Sequence, residues 1–145
     1  MFGPHLTIDI YGCDAKLLGN TSHVFRILDE MPGLLDMKKI SKPQILPYEG
    51  SKGTFDKGGI SAFVIIATSH ISIHTFVAQK YASVDIFSCK SFDTEKAVRY
   101  ISGKFKAKKT ETNLLSRGKE FPKEVERAKA LVVRERRVVK PFKGK

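Results

Sequence analysis

Apolar and polar positions change period several times along this chain, and each change marks an expected element. Residues 5–11 alternate, with Leu6, Ile8 and Ile10 on one face and Thr7 and Asp9 on the other, and Gly12 ends this first strand. Val24, Ile27, Leu28 and Met31 recur at helical spacing, so a helix is expected over 23–31, capped by Thr21 or Ser22 and stopped by Pro32-Gly33. Residues 37–46 read as a second strand that Pro43 assigns to an edge or a bulge. The Gly-, Lys- and Ser-rich stretch 48–59 reads as a loop, in which Phe55 is expected to pack.

The densest pattern follows. Residues 60–67 form an apolar run interrupted only by Ser61, the signature of a strand covered on both faces. Residues 69–75 then alternate, with His70, Ser72 and His74 opposite Ile71 and Ile73. Residues 81–89 alternate again, with Tyr81, Ser83, Asp85, Phe87 and Cys89 opposite Ala82, Val84, Ile86 and Ser88. Three adjacent strands would bring Ser69, His74 and Cys89 within reach of one another. Asp93 or Thr94 opens a helix over 94–105 with Ala97, Val98, Ile101 and Phe105 as its stripe, and 106–115 returns as a last strand. The order predicts an α+β, two-layer sandwich with helices on one face of an antiparallel sheet.

At 145 residues and 41% hydrophobic content, the chain suits one domain. Its charge is uneven: of a net +11, residues 104–145 hold +10, from 15 Lys and Arg against 5 Asp and Glu. Residues 1–120 are therefore expected as the domain and 121–145 as a basic extension. Val125, Ala128, Leu131 and Val132 suit a helix over 123–136. The plain reading of that extension is a solvated or interface-packed helix and tail. The alternative is salt-sensitive attachment to nucleic acid, although no aromatic-interleaved RNA-binding motif accompanies it.

Two cysteines and no secretory leader or membrane-length apolar run point to a soluble, cytoplasmic protein. Cys13 is expected to pack and His23 to sit on the surface. Asp85 is a candidate for a polar network. No zinc-ligand spacing or Gly-rich phosphate loop occurs, and His70 and His74 lie too far apart along a strand to share an ion, so no metal is expected. No G-x-S-x-G turn flanks the serine.

The segment T68-S69-H70-I71-S72-I73-H74-T75-F76, followed by Y81-A82-S83-V84-D85-I86-F87-S88-C89, resembles the core of the S-adenosylmethionine decarboxylase family in its short prokaryotic form. G59-I60-S61, H5-L6-T7-I8-D9, Y11-G12-C13-D14 and, more weakly, S116-R117-G118 extend the resemblance over about the first 120 residues. It implies a self-processing proenzyme cut between Thr68 and Ser69, with Ser69 converted to a pyruvoyl group. That keto group would form a Schiff base with the substrate amine and draw off electrons as carbon dioxide leaves, in place of a bound cofactor. By the same resemblance His74 is the processing acid or base, Ser61 supports the rearranging intermediate, Cys89 returns a proton to the substrate, and Phe76 stacks on it.

The implied substrate is S-adenosylmethionine, feeding spermidine synthesis. The implied assembly is a dimer pairing sheet against sheet, a four-layer arrangement with active sites near the interface. Two positions depart from the family: Thr68 stands where relatives carry a charged residue, and V77-A78-Q79-K80 lacks a glutamate expected on the substrate ribose. Arginine or ornithine as an altered substrate, and an inactive homologue that holds nucleic acid through its basic end, remain the alternatives. Pro47-Tyr48-Glu49-Gly50 lies where relatives place aromatics against substrate, but Tyr48 receives no role from the sequence.

Overall fold

The computed structural model describes residues 3–120. Strand β1 (Gly3–Tyr11) leads through the single-turn helix α1 (Ala15–Leu18) into helix α2 (Thr21–Leu34). Strands β2 (Gln44–Tyr48), β3 (Gly59–Ile66), β4 (Ser69–Phe76) and β5 (Tyr81–Phe87) follow, then helix α3 (Thr94–Lys104) and strand β6 (Lys109–Arg117). The strands form one sheet in the order β2-β3-β4-β5-β1-β6, antiparallel throughout. The expected α+β sandwich is the observed one.

Alternation decides which side of the sheet the helices cover. Leu6, Ile8 and Ile10 of β1, Ile71 and Ile73 of β4, and Ala82, Val84 and Ile86 of β5 are buried. They meet Val24, Ile27, Leu28 and Met31 of α2 and Ala97 and Ile101 of α3 in one core. Burying each of the Leu, Ile, Val and Met side chains among these contributes about 1.5–3 kcal/mol.

Among the described residues nothing forms a second layer on the opposite face of the sheet. Strand β3 was expected to be covered on both sides, yet Phe63 and Ile65 are 38% and 37% exposed while Ala62, Val64 and Ile66 are buried. The apolar run 60–67 thus records a strand with one face in the core and one apolar face open.

Local chemistry moves several element boundaries. The α2 cap is Asn20, whose side chain accepts from the His23 N–H at 3.0 Å, rather than Thr21 or Ser22. The helix also runs past the expected stop, because a proline in the last turn forfeits only one main-chain bond. Pro32 is buried within it. Of the expected strand 37–46 only the end survives, since β2 begins after Pro43 and Lys39 contributes an isolated bridge to Ile66. Asp93 caps α3 as expected, through a 2.9 Å bond from the Lys96 N–H. The helix α1, capped by Asp14, is too short for periodicity to reveal. The helix expected over 123–136 lies outside the described residues.

Candidate active site

Strands β3 and β4 are joined by a two-residue turn, with Ile66 opposite Ser69 and only Ala67 and Thr68 between them. The Ala67–Thr68 peptide bond is cis. Ser69 begins β4 and follows the parity of Ile71 and Ile73, so its side chain turns inward and is 8% exposed. Thr68 stays exposed at the tip.

Cys89 reaches this turn because β5 lies beside β4 and the chain continues two residues past Phe87. Its Sγ lies 3.4 Å from Ser69 Oγ and 2.8 Å from Thr68 Oγ1. The same thiol donates to the Thr68 carbonyl oxygen at 3.5 Å. A serine hydroxyl, the carbonyl that precedes it and a thiol are thereby gathered at one hairpin tip.

Partial burial pushes the Cys89 thiol up, but hydrogen bonds from the Ser69 and Thr68 hydroxyls outweigh this and hold it below the ordinary thiol range. Cys13 shows the contrast. Buried without such donors, its thiol is pushed up to about 11.

A second cluster stands on the open face of the sheet. Ser61 and His74 are directly opposite each other in the β3–β4 register, and Ser61 Oγ lies 3.0 Å from His74 Nδ1. A pocket of about 190 Å³ surrounds the pair, walled by Tyr48, Asp56, Gly59 and Phe76 among others. Phe76 is backed by Tyr81, ring centroids 5.4 Å apart, and Tyr81 stacks on Tyr11 at 5.2 Å.

Two glycines hold the loop that brings Asp56 here. Gly50 and Gly58 have φ of +86° and +97°, and a Cβ on either would meet backbone at 2.5 Å. Across that neck Ser51 N–H donates to Asp56 O at 3.0 Å and Gly58 N–H to Asp56 Oδ1 at 2.9 Å. The loop is tied down again where the Gln79 amide donates to Phe55 O and the Val77 N–H to Gly58 O at 3.3 Å.

The three residues expected to converge do so only in part. Ser69 and Cys89 meet, but His74 lies five residues along β4, about 17 Å away at the rise of a strand, with its side chain on the other face. Spacing in the sequence showed the strands to be neighbours and could not show this distance. Tyr48 received no role and Asp56 was not singled out, because they sit at the end of β2 and in an aperiodic loop, where no pattern reports direction.

Three further expectations meet the structure differently. Phe55, expected to pack, is 79% exposed. His23, expected in solvent, has Nε2 2.8 Å from Lys104 O and its ring edge-on to Phe105. Asp85 does join a polar network, 2.9 Å from His5 Nε2. Among the described residues no group of three or more His, Cys, Asp or Glu side chains is placed to hold a metal.

Fold and clusters together define a two-layer α+β sandwich that carries a hydroxyl–thiol pair at a hairpin tip and a serine–histidine pair on its open face. Residues 4–118 match the family model described as S-adenosylmethionine decarboxylase. The chain is 36% identical over 118 residues to an S-adenosylmethionine decarboxylase proenzyme of Clostridium botulinum, covering 81% of this chain and 95% of that one. A proenzyme of the same name from Thermococcus onnurineus is 36% identical over 117 residues, covering 80% of this chain and 77% of that one. The crystal structure of the adenosylmethionine decarboxylase from Aquifex aeolicus superposes with a TM-score of 0.64 at 29% identity, covering 81% and 91% of the two chains. This chain belongs to the S-adenosylmethionine decarboxylase family.

Proposed function

We propose that this protein is a self-processing, pyruvoyl-dependent decarboxylase of S-adenosylmethionine. The observation that carries the reading is the meeting of Ser69 Oγ and the Thr68 carbonyl at the Cys89 thiol. In the first step Ser69 Oγ attacks the Thr68 carbonyl carbon, with the Cys89 S–H drawing charge onto the carbonyl oxygen. The peptide C–N bond breaks, the nitrogen takes up a proton, and an ester replaces the amide. Loss of the residue 69 α-proton then breaks the Cβ–O bond and releases Thr68 as a carboxylate. Hydrolysis of the resulting dehydroalanine frees ammonia and leaves the keto group.

The residues present fit such a group, since the site of residue 69 is nearly closed to solvent and faces the one thiol held below the usual range. A pyruvoyl carbonyl supplies an electron sink for decarboxylation of an amino acid. Cys89 is then the proton donor within reach of that position.

The second cluster suits substrate. Phe76 and Tyr48 offer aromatic faces to an adenine ring or a sulfonium, and the Asp56 carboxylate offers an acceptor or a counter-charge. These features favour S-adenosylmethionine over arginine or ornithine, neither of which carries a large aromatic group to stack.

The two clusters are best joined across two copies of the chain. His74 and Ser61 stand on the face that carries the exposed Phe63 and Ile65, and a second sheet laid on that face would cover these side chains. His74 and Ser61 of one copy would then serve the Thr68–Ser69 bond of the other. Such a homodimer is the proposed active form.

Intact-mass measurement of purified protein tests the central claim. The expected result is two chains, residues 1–68 and a 69–145 chain with a keto terminus, while Ser69→Ala remains whole. A single unbroken wild-type chain without a carbonyl-reactive group would end the proposal.

A further inference from the structure

Where β1 ends and β5 and β6 begin, three tight connections come together: residues 12–14, 77–80 and 105–108. Main-chain bonds lock them, Cys13 N–H to Lys80 O at 2.9 Å, Asp14 N–H to Phe105 O at 3.0 Å and Lys108 N–H to Tyr11 O at 2.9 Å. They enclose an open basin of about 560 Å³ walled by residues 12–15 and by Lys16, Lys80, Lys106 and Lys108.

Four lysines from three separate segments thus share one concave surface. Among the described residues the ion pairs engage His5, Lys39, Arg99, Lys104 and Lys109, and none of these four. Asp14 is the basin's carboxylate, and its Oδ1 is taken up by the Lys16 N–H. The buried Cys13 thiol, held protonated to about 11, adds no negative charge. Four lysines against one aspartate give the lining of the basin a surplus of positive charge.

The backbone reinforces this placement. Three non-glycine residues among those described adopt left-handed φ, and two of them, Lys80 at +52° and Lys106 at +51°, line the basin. Glycine would hold either turn with less strain. The chain instead puts a long cationic side chain at each.

We propose that this basin is a binding site for a small, multiply charged phosphate anion, of the size and charge of a di- or triphosphate. Such an anion relieves the repulsion among the four ammonium groups and accepts charge-assisted hydrogen bonds from several at once. A singly charged anion can do neither as well. The concave shape and fixed turns favour a compact ligand over a duplex or a membrane. The site lies apart from the hairpin tip and stands whether or not the chain decarboxylates anything.

Calorimetry on the full-length protein with inorganic tripolyphosphate tests it, with adenosine triphosphate as a second ligand to separate a free polyphosphate from a nucleotide source. The Lys80→Gln, Lys106→Gln double variant should bind tripolyphosphate at least about tenfold more weakly. A Lys143→Gln, Lys145→Gln control in the basic tail should stay close to the wild type. Lysine acetylation of the unaltered protein provides a readout that does not depend on a variant folding: tripolyphosphate should protect Lys80 and Lys106 and leave Lys42 and Lys52 unprotected. Equal binding by the double variant, or no selective protection, overturns the proposal.

Discussion

Cys89 and Cys13 sit in opposite environments, one among hydroxyl donors and one buried without them, and the difference is measurable. In a chain held unprocessed by His74→Ala, alkylation of Cys89 should rise with pH at a lower midpoint than an ordinary thiol, because hydroxyl donors favour the thiolate. Cys13, with its thiol at about 11, should stay unreactive over the same range. Adding Ser69→Ala removes one donor and should move the Cys89 midpoint upward, as followed by mass spectrometry of the labelled peptides. In the substrate pocket, Asp56→Asn keeps the loop's acceptor to the Gly58 N–H and removes the charge. The expected result is a KM for S-adenosylmethionine about tenfold higher with kcat little changed; an unchanged KM would remove Asp56 from the site. Ser69, His74, Ser61 and Cys89 could be proposed from the resemblance because the motif that carries it survives in the sequence. Asp56 could not, since its direction comes from two glycine-dependent turns.

Strands β3 and β4 are pinned to α1 through one hydroxyl. Thr75 Oγ1 donates to Leu18 O and accepts from the Ile60 N–H, both at 2.9 Å, in a buried setting. Thr75→Val keeps the volume and leaves both main-chain groups unpaired, so a loss of about 1–3 kcal/mol is expected in denaturant unfolding. Gly59 stands beside this residue, and a Cβ there would fall 1.7 Å from Thr75 O. Gly59→Ala must therefore separate the strands where Ser61 faces His74, and the expected outcome is a larger loss of stability together with impaired chain cleavage. The helices follow gentler rules: Asn20→Ala should cost about 1 kcal/mol through the α2 cap. For the longer elements type was legible from period, whereas boundaries and the short helix α1 were not. Asn20 took the cap from Thr21 and Ser22, and α2 carried Pro32 inside its last turn.

The whole molecule poses the question of how separated clusters cooperate. Co-expression answers it: Ser69→Ala removes the proposed nucleophile and His74→Ala the proposed processing imidazole, so each alone should remain whole. If two copies complete one another's sites, mixed dimers should cut the His74→Ala chain at 68–69, visible as a new fragment by mass. A His74→Ala chain that stays intact beside its complement would show that each copy must process itself. No described helix is long and apolar enough to cross a membrane.

Alternation along residues 5–11, 69–75 and 81–89 was enough to specify strands, their buried faces and hence a one-sided antiparallel sheet, because a side-chain period of two leaves no other face for the core. The S-H-x-x-x-H-T and D-x-F-x-C spacing carried the family for the same reason, since residues at fixed positions in paired strands keep fixed neighbours. Distance between faces and ends of the sheet is a different matter. That Cys89 touches Ser69 while His74 stands about 17 Å away, that Phe63 and Ile65 face outward, and that four lysines share one basin all follow from register and turn geometry. Long-range pairing sets those relations, and a linear pattern does not contain it.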